Sequence, residues 1–220
     1  TLTTTAVLSS APGTYPIIAA GGSDPNYTVV HVNGTLTVAQ KELPILTWSD
    51  PLPITFAAPL TVTQLNATAS VAGAFTYNPP IGTVLGAGVH TLTASFAPTE
   101  AIRYENASAT VNITVNKATP VISWPAPNAI TFGTALNAVQ LNATTAVQGT
   151  LTYTPAANEV LGAGVHPLMV QFSPVDTANY ATASATVSLA IAKAVPVVTW
   201  ATPDSITFGT TLDGNQLEAR

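Results

Sequence analysis

The 220-residue chain contains no cysteine, and only 7% of its residues are charged. Without cysteine the chain has neither a disulfide nor a thiolate that could bind a metal or act as a nucleophile. The five Lys and Arg residues are dispersed and the net charge is -5, so the chain lacks the basic surface that binds nucleic-acid phosphates. These scarcities exclude disulfide-stapled folds and thiol chemistry, and we expect no nucleic-acid partner.

Long apolar runs and helical periodicity are also absent from the sequence. No apolar run approaches the roughly 18 to 20 residues that a membrane-spanning helix requires, and the first residues lack the pattern of a signal peptide. Apolar residues nevertheless make up 47% of the chain, which is typical of a folded protein rather than a disordered one. We therefore expect folded domains and no membrane insertion.

The chain repeats itself with a period of 76 residues. Lys41, Lys117 and Lys193 each open the phrase Lys-x-x-Pro-x-x-Thr/Ser-Trp, and matching Ile, Phe, Leu and Gln residues follow at the same spacing. A fixed period of this kind indicates an array of similar structural units. The repeat divides the chain into 1–40, the C-terminal half of a module; 41–116 and 117–192, two complete modules; and 193–220, the N-terminal strands of a further module.

Each complete module is predicted to be all-β. Apolar and polar side chains alternate through residues 107–115, which is the pattern of a half-buried strand, and residues 183–191 keep the phase. Short runs rich in Thr and Val, which suit a pleated sheet, recur between Gly and Pro residues. We therefore predict tandem Ig-like β-sandwich modules of about seven strands each, with incomplete half-domains at both ends.

The two end segments are predicted to complement each other. Aligning Tyr27 with Tyr104 places four apolar residues on the inward face of a last strand, namely Val30, Val32, Leu36 and Val38. In the C-terminal segment the counterparts of the modules' apolar positions are Ile206, Phe208, Leu212 and Leu217. An open sheet edge and an exposed apolar face are unfavourable in water. Either further modules of a longer array cover them, or the C-terminal strands of one copy complete the N-terminal half-domain of another.

Within residues 1–40, the pair Asn33-Gly34 is open to two interpretations. It is either part of one continuous strand or the tight turn of a two-residue hairpin. The alignment of Tyr27 with Tyr104 favours the continuous strand.

Aromatic residues recur at equivalent positions. Trp48, Trp124 and Trp200 end the repeated phrase, where a large ring is able to pin one module against the next, so they are the candidate module-junction residues. Tyr104 and Tyr180 each follow an acid by four residues. We expect their hydroxyl groups to tie a corner of the sandwich to the backbone, as in Ig-like domains.

No group of side chains forms a recognisable catalytic or metal-binding motif. His90 and His166 occupy the same position of separate modules, so they cannot share a metal, and Tyr15 fills the matching position in residues 1–40. The serines lack a Gly-x-Ser-x-Gly motif, and the acids, including Asp50 near a junction, lack the Asp-x-Asp run of a calcium loop. We predict no enzymatic activity, no metal site and no cofactor.

A resemblance to the end of a bacterial MBG-type Ig-like domain is carried by three runs, Gly13-Thr-Tyr-Pro-Ile17, Asp24-Pro-Asn-Tyr27 and Val32-Asn-Gly-Thr-Leu-Thr-Val38. The complete modules resemble bacterial Ig-like modules of the same broad group through runs such as Leu161-Gly-Ala-Gly164. The resemblance implies an extracellular or cell-surface location on a bacterium. Such modules serve as stalks, spacers, adhesin arms and carbohydrate binders, so the fold alone does not choose a function.

Two functional hypotheses follow. The leading one is a structural subunit of an extracellular bacterial fibre or surface stalk, whose partners are copies of itself joined head to tail or neighbouring Ig-like modules of the same chain. The alternative is an adhesin arm that binds a glycan or host surface through aromatic residues such as Tyr77 and Tyr153.

Overall fold

A computed structural model describes residues 1–214, 216 and 217. Every regular element assigned among these residues is a β-strand, which confirms the all-β fold class predicted from the sequence. The chain forms two compact units, Thr1–Lys117 and Ala118–Arg220. The first unit holds an N-terminal sheet and one complete module, and the second holds the other complete module and the C-terminal segment, residues 193–217.

The N-terminal sheet consists of three antiparallel strands in the order β1-β2-β3. Its strands are β1 (Leu2–Thr4), β2 (Gly13–Ala19) and β3 (Gly34–Val38). In the part of the chain that the structure describes, β3 pairs with β2 alone, so its other side is an open edge.

The first module, residues 41–116, is a sandwich of six strands: β4 (Leu46–Thr47), β5 (Ile54–Thr55), β6 (Thr68–Ala69), β7 (Gly73–Asn78), β8 (Gly88–Pro98) and β9 (Ala107–Asn116). One sheet has four strands in the order β5-β9-β8-β7, and the other has the two strands β4-β6. All pairs are antiparallel except β5 with β9, which is parallel. The short β5 thus closes the edge of the larger sheet beside the last strand.

The second module, residues 117–192, repeats this arrangement strand for strand at the period of the sequence. Its strands are β10 (Ile122–Ser123), β11 (Ile130–Thr131), β12 (Thr144–Thr145), β13 (Gly149–Thr154), β14 (Gly164–Pro174) and β15 (Ala183–Ala192). The larger sheet has the order β11-β15-β14-β13 and the smaller one is β10-β12.

The core of each module lies between its two sheets. In the first module Leu92 of β8 and Ile113 of β9 are 0% exposed, and they pack with Leu60, Leu65 and Val111. The alternating pattern that the sequence shows in 107–115 is the burial pattern of β9, because successive side chains of a strand point to opposite faces. The second module buries the equivalent set, which includes Leu136, Leu168 and Leu189.

The prediction of about seven strands per module is corrected to six. In the first module the chain between β5 and β6 meets the chain before β8 at an isolated bridge, Pro59 with Val84, and through backbone bonds of Leu60. The equivalent bridge in the second module joins Ala135 and Val160, so in neither module does this pairing extend into a further strand.

The prediction of one strand from Tyr27 to Val38 is also wrong in part, because β3 begins only at Gly34 and Val30 and Val32 are exposed residues outside it. The side chain of Asn33 accepts a hydrogen bond from the backbone N–H of Ala19, where a strand partner would otherwise bond. The competing hairpin interpretation fails as well, because β3 pairs with the distant β2 rather than with residues just before it.

Candidate functional site

The N-terminal sheet reproduces the strand register at the centre of a complete module. In the sheet Gly13 of β2 pairs with Val38 of β3, and Tyr15 pairs with Leu36. In the first module Gly88 of β8 pairs with Val115 of β9 in the same way, and His90 pairs with Ile113. The strands β2 and β3 are therefore the structural equivalents of β8 and β9.

Burial differs sharply between these equivalent strands. Leu36 of β3 is 39% exposed, whereas its counterpart Ile113 is 0% exposed. Ile17 of β2 is half-buried, whereas its counterpart Leu92 is fully buried. The N-terminal sheet thus presents the inward face of a sandwich without the burial that this face has in a module.

The missing cover can be named from the first module. There β5 pairs in parallel with β9, with Ile54 opposite Val115 and Thr55 opposite Asn116. The chain after β5 then places Leu60, which is 1% exposed, in the core. Within the described residues the N-terminal sheet has neither an equivalent of β5 nor a second sheet.

The C-terminal segment contains the sequence counterparts of that cover. Ile206 corresponds to Ile54, and Leu212 corresponds to Leu60. Leu212 is 59% exposed, Ile206 and Leu217 are exposed, and Phe208 is fully exposed. No strand is assigned in the described residues of this segment, although Trp200 takes part in an isolated bridge. The candidate interaction surface therefore has two parts, the open face and edge of β3 and this exposed apolar segment.

A hydrogen-bonded unit, here called the Trp–Gln clasp, recurs in all three repeats. The indole Nε1 donates to a main-chain carbonyl, from Trp48 to Gln64 over 3.1 Å and from Trp124 to Gln140 over 3.0 Å. The C-terminal segment keeps this bond, from Trp200 to Gln216 over 3.0 Å. The repeat predicts only the spacing of these glutamines. Their recurrence as a polar residue in every copy is the sequence signal that could have indicated the hydrogen bond to tryptophan.

The glutamine side chain completes the clasp. Its Oε1 accepts a backbone N–H three residues earlier, over 3.0 Å in Gln64 and 3.1 Å in Gln216. A side chain that satisfies local backbone donors orders a turn without help from a distant strand. The C-terminal segment therefore has local order although its apolar side chains lie exposed.

Two of the tryptophans pack inside their own modules. Trp48 contacts the core of the first module and lies edge-on to Tyr77 at a centroid distance of 5.4 Å, and Trp124 meets Tyr153 at 5.4 Å in the second. Trp200, by contrast, is exposed. The prediction that these rings pin neighbouring modules stays a prediction, and so does the glycan-binding role of the two tyrosines, whose rings are engaged by tryptophan.

His90, His166 and Tyr15 have local structural roles. His90 Nε2 lies 2.7 Å from the carbonyl of Gly86, and His166 Nε2 lies 2.8 Å from that of Gly162. The hydroxyl of Tyr15 donates to the carbonyl of Ala11 over 2.8 Å, which is the same bond four residues back along the chain. The side chain at this position thus bonds the main chain four residues earlier in each of these three copies.

The corner tyrosines are hydrogen-bonded through their backbone N–H groups, and the predicted bond from their hydroxyl groups stays a prediction. The N–H of Tyr104 donates to the carbonyl of Glu100 over 3.0 Å, and Tyr104 also forms a parallel bridge with Glu42. The carboxylate of Asp50, weighed as a calcium ligand, instead accepts the N–H of Asn112 over 3.2 Å. Among the described residues no group of three or more His, Asp or Glu side chains is arranged to bind a metal ion.

The described part of the chain contains no helix with the length and hydropathy that crossing a bilayer requires.

Comparison with known proteins supports the resemblance seen in the sequence. Residues 1–37 match the model of the MBG domain (YGX type), which confirms the MBG-type resemblance for the N-terminal sheet. No curated protein matches the chain.

Several solved structures are similar to this chain at low sequence identity. A Drosophila N-cadherin fragment, EC1-4, shares 10% identity at a TM-score of 0.29, and the match covers 83% of this chain and 58% of that one. The fibronectin(III)-like modules of Clostridium thermocellum CbhA share 11% identity at a TM-score of 0.24, covering 68% and 95%. The endo-fucoidan hydrolase MfFcnA4 shares 13% identity at a TM-score of 0.26, covering 89% and 37%. The chain thus spans little more than half the length of the N-cadherin fragment.

Proposed function

We propose that this chain is a structural subunit of an extracellular bacterial fibre or surface stalk, assembled head to tail. The C-terminal segment of one copy supplies the cover that the N-terminal sheet of the next copy lacks. Its partners are therefore copies of itself, and its work is mechanical rather than catalytic.

The observation that carries this proposal is the shared register of β2–β3 and β8–β9. Because β3 is equivalent to β9, the edge that β5 occupies in a module is the open edge of β3. The residues equivalent to β5 in the C-terminal segment are Ile206 and Thr207. Strand addition to an open edge is a common mode of recognition, in which main-chain bonds give affinity and side-chain positions give register.

The Trp–Gln clasp supports the same proposal. Ordering a flexible segment on binding costs conformational entropy, and a segment that is already ordered loses less. The bond from Trp200 to Gln216 holds together the turn that carries Leu212 and Leu217. The donor segment is thus partly organised before it meets a partner.

The location and class of the protein rest on the MBG match and the all-β module fold. MBG-type Ig-like domains are modules of bacterial surface proteins. Neutral Thr, Ser and Asn side chains dominate the outward positions of strands such as β9, which suits a solvated stalk with only 7% charged residues.

The test is assembly of the 220-residue chain over a concentration series, followed by light scattering and negative-stain electron microscopy. We expect regular filaments whose repeat matches about three modules, the content of two complete modules and one shared one. Leu212→Ala and Phe208→Ala should each weaken the junction by roughly 2 to 5 kcal/mol. Val139→Ala is the matched control, because Val139 is an exposed apolar residue of the second module.

Monomers at every concentration would contradict the fibre, and assembly that neither Leu212→Ala nor Phe208→Ala changes would contradict the role of the C-terminal segment in it. An adhesin arm is then the competing function, and binding above background on a glycan array would support it.

A further inference from the structure

An open groove of about 770 Å³ lies beside the end of β3 in the first unit. Its lining includes the apolar residues Leu8, Val38, Ala39 and Ile102 together with Lys41 and Glu105. Leu8 and Ile102 are among the most exposed large apolar side chains of the chain. The groove therefore offers apolar surface next to the edge where strand addition is proposed.

The complete modules show which residue follows the short strand that pairs with such an edge. In the first module the strand β5 is followed by Phe56, whose N–H donates to the carbonyl of Asn116 over 2.8 Å. In the second module the N–H of Phe132 donates to the carbonyl of Ala192 over 2.8 Å. In both modules a phenylalanine thus follows the parallel strand pair. Its N–H donates to the residue that comes directly after the last inward-facing residue of the final strand.

The register carries this position onto the N-terminal sheet. Val38 is equivalent to Val115, because each pairs with a glycine at the start of the neighbouring strand. Ala39 is therefore equivalent to Asn116, and Ala39 lines the groove. The phenylalanine that follows Ile206 and Thr207 is Phe208, which is fully exposed in its own chain.

We propose that this groove receives the Phe208 ring of a second copy, whose Ile206 and Thr207 pair in parallel with Val38 and Ala39. The inference rests on the proposed function for the existence of assembly, and it adds the register and the binding pocket of the anchoring residue. An aromatic ring that fills a pocket at the centre of an interface is the usual form of a dominant binding contact. Phe208 is thus the specificity-determining residue of the junction.

The absence of native cysteine makes the register directly testable by disulfide trapping. Chains carrying Ala39→Cys are mixed with chains carrying Thr207→Cys and oxidised, and linked dimers are measured on a non-reducing gel. The matched control replaces Ala39→Cys with Thr35→Cys, which lies on β3 away from the predicted partner. We expect the first pair to link at least about tenfold faster, because a disulfide requires Cα atoms closer than about 7 Å.

A second measurement tests the groove itself. Phe208→Ala and Ile102→Ser should each raise the midpoint concentration of assembly by at least about tenfold, which is the usual scale for losing an anchor. Phe132→Ala is the control, because Phe132 is the half-exposed equivalent in the second module, and it should shift the midpoint less than about twofold.

The outcomes separate the two proposals. If filaments form but the cysteines at positions 39 and 207 do not link, or if neither groove variant shifts the midpoint concentration of assembly, the groove proposal is wrong and the fibre proposal stands. A chain that never assembles removes both. Fast linking together with the two midpoint shifts supports the register and the pocket.

Discussion

The central strands of the first module and those of the N-terminal sheet have the same pairing but different burial. Gly88–Val115 and Gly13–Val38 are equivalent pairs, yet Ile113 is 0% exposed and Leu36 is 39% exposed. The difference comes from residues outside the paired strands, since Leu60 and the small sheet β4-β6 cover only the first pair. Strand pairing is thus set locally, whereas burial depends on a cover that another segment must supply.

The largest expected effect comes from emptying the covered core. Leu92→Ala should lower the free energy of unfolding by roughly 2 to 5 kcal/mol, because it leaves a cavity in a closed core. Ile17→Ala at the equivalent open position should cost well under half as much. Hydrogen exchange of the β8–β9 and β2–β3 amides would measure both, and equal losses would show that the cover does not matter.

The next largest effect is expected when a side chain is added at a glycine that lies close to a neighbouring strand. A Cβ added to Gly73 would lie 2.3 Å from Cζ of Phe96 and 2.4 Å from the carbonyl oxygen of Ala97. We expect Gly73→Ala to destabilise the first module by about 1 to 3 kcal/mol. At Gly34 of β3 the nearest atom would be Ile17 Cβ at 3.6 Å, an ordinary contact, so Gly34→Ala should be neutral or stabilising in the same exchange experiment. A destabilising Gly34→Ala would show that the open sheet is as tightly packed as the module.

The Trp–Gln clasp gives a smaller difference between a covered and an uncovered copy. Trp48→Phe removes the donor to Gln64 and should lower the free energy of unfolding of the first module by about 0.5 to 1.5 kcal/mol. Trp200→Phe in the monomeric chain should change the unfolding of the modules very little, because Trp200 is exposed. Urea unfolding followed by far-ultraviolet circular dichroism compares them, and a large effect of Trp200→Phe would mean that the clasp supports more than its own segment.

The smallest effect is expected at the corner of the first module. Arg103 Nη2 and Glu42 Oε1 are 3.6 Å apart, and both side chains are 61% exposed. Such a pair contributes less than about 1 kcal/mol, so Glu42→Ala should be almost silent in the unfolding midpoint. The second module has Ala118 at this position and serves as the natural comparison. A large loss would show that the corner depends on this ion pair.

Repetition and alternation made much of this molecule predictable. The period of 76 residues separates equivalent strands of the two modules, and the alternation in 107–115 matches the burial of β9. The matching of Tyr15 with His90 also followed from the repeat, and both side chains bond the same carbonyl position. These features are local or periodic, so one-dimensional information is sufficient.

The wrong expectations concern features that depend on a partner segment. Val30 and Val32 alternate like strand residues, but β3 begins only at Gly34. The reason lies in the partner segment, where Gly21 and Gly22 occupy the positions that Phe96 and Ala97 have in the first module. Both glycines have positive φ, at 84° and 96°, and they provide no side chain to hold a longer sheet together.

The sequence by itself determined the all-β class, the period, the faces of the long strands and the recurrence of Trp and Gln in each copy. Periodicity encodes these because each strand's side chains alternate by geometry alone. Only the tertiary structure decided that β5 runs parallel to β9, that tryptophan binds a glutamine carbonyl, and that the same apolar pattern is buried in a module and exposed at the N-terminal sheet. Those outcomes depend on contacts between segments far apart in the chain, which alternation within one strand does not specify.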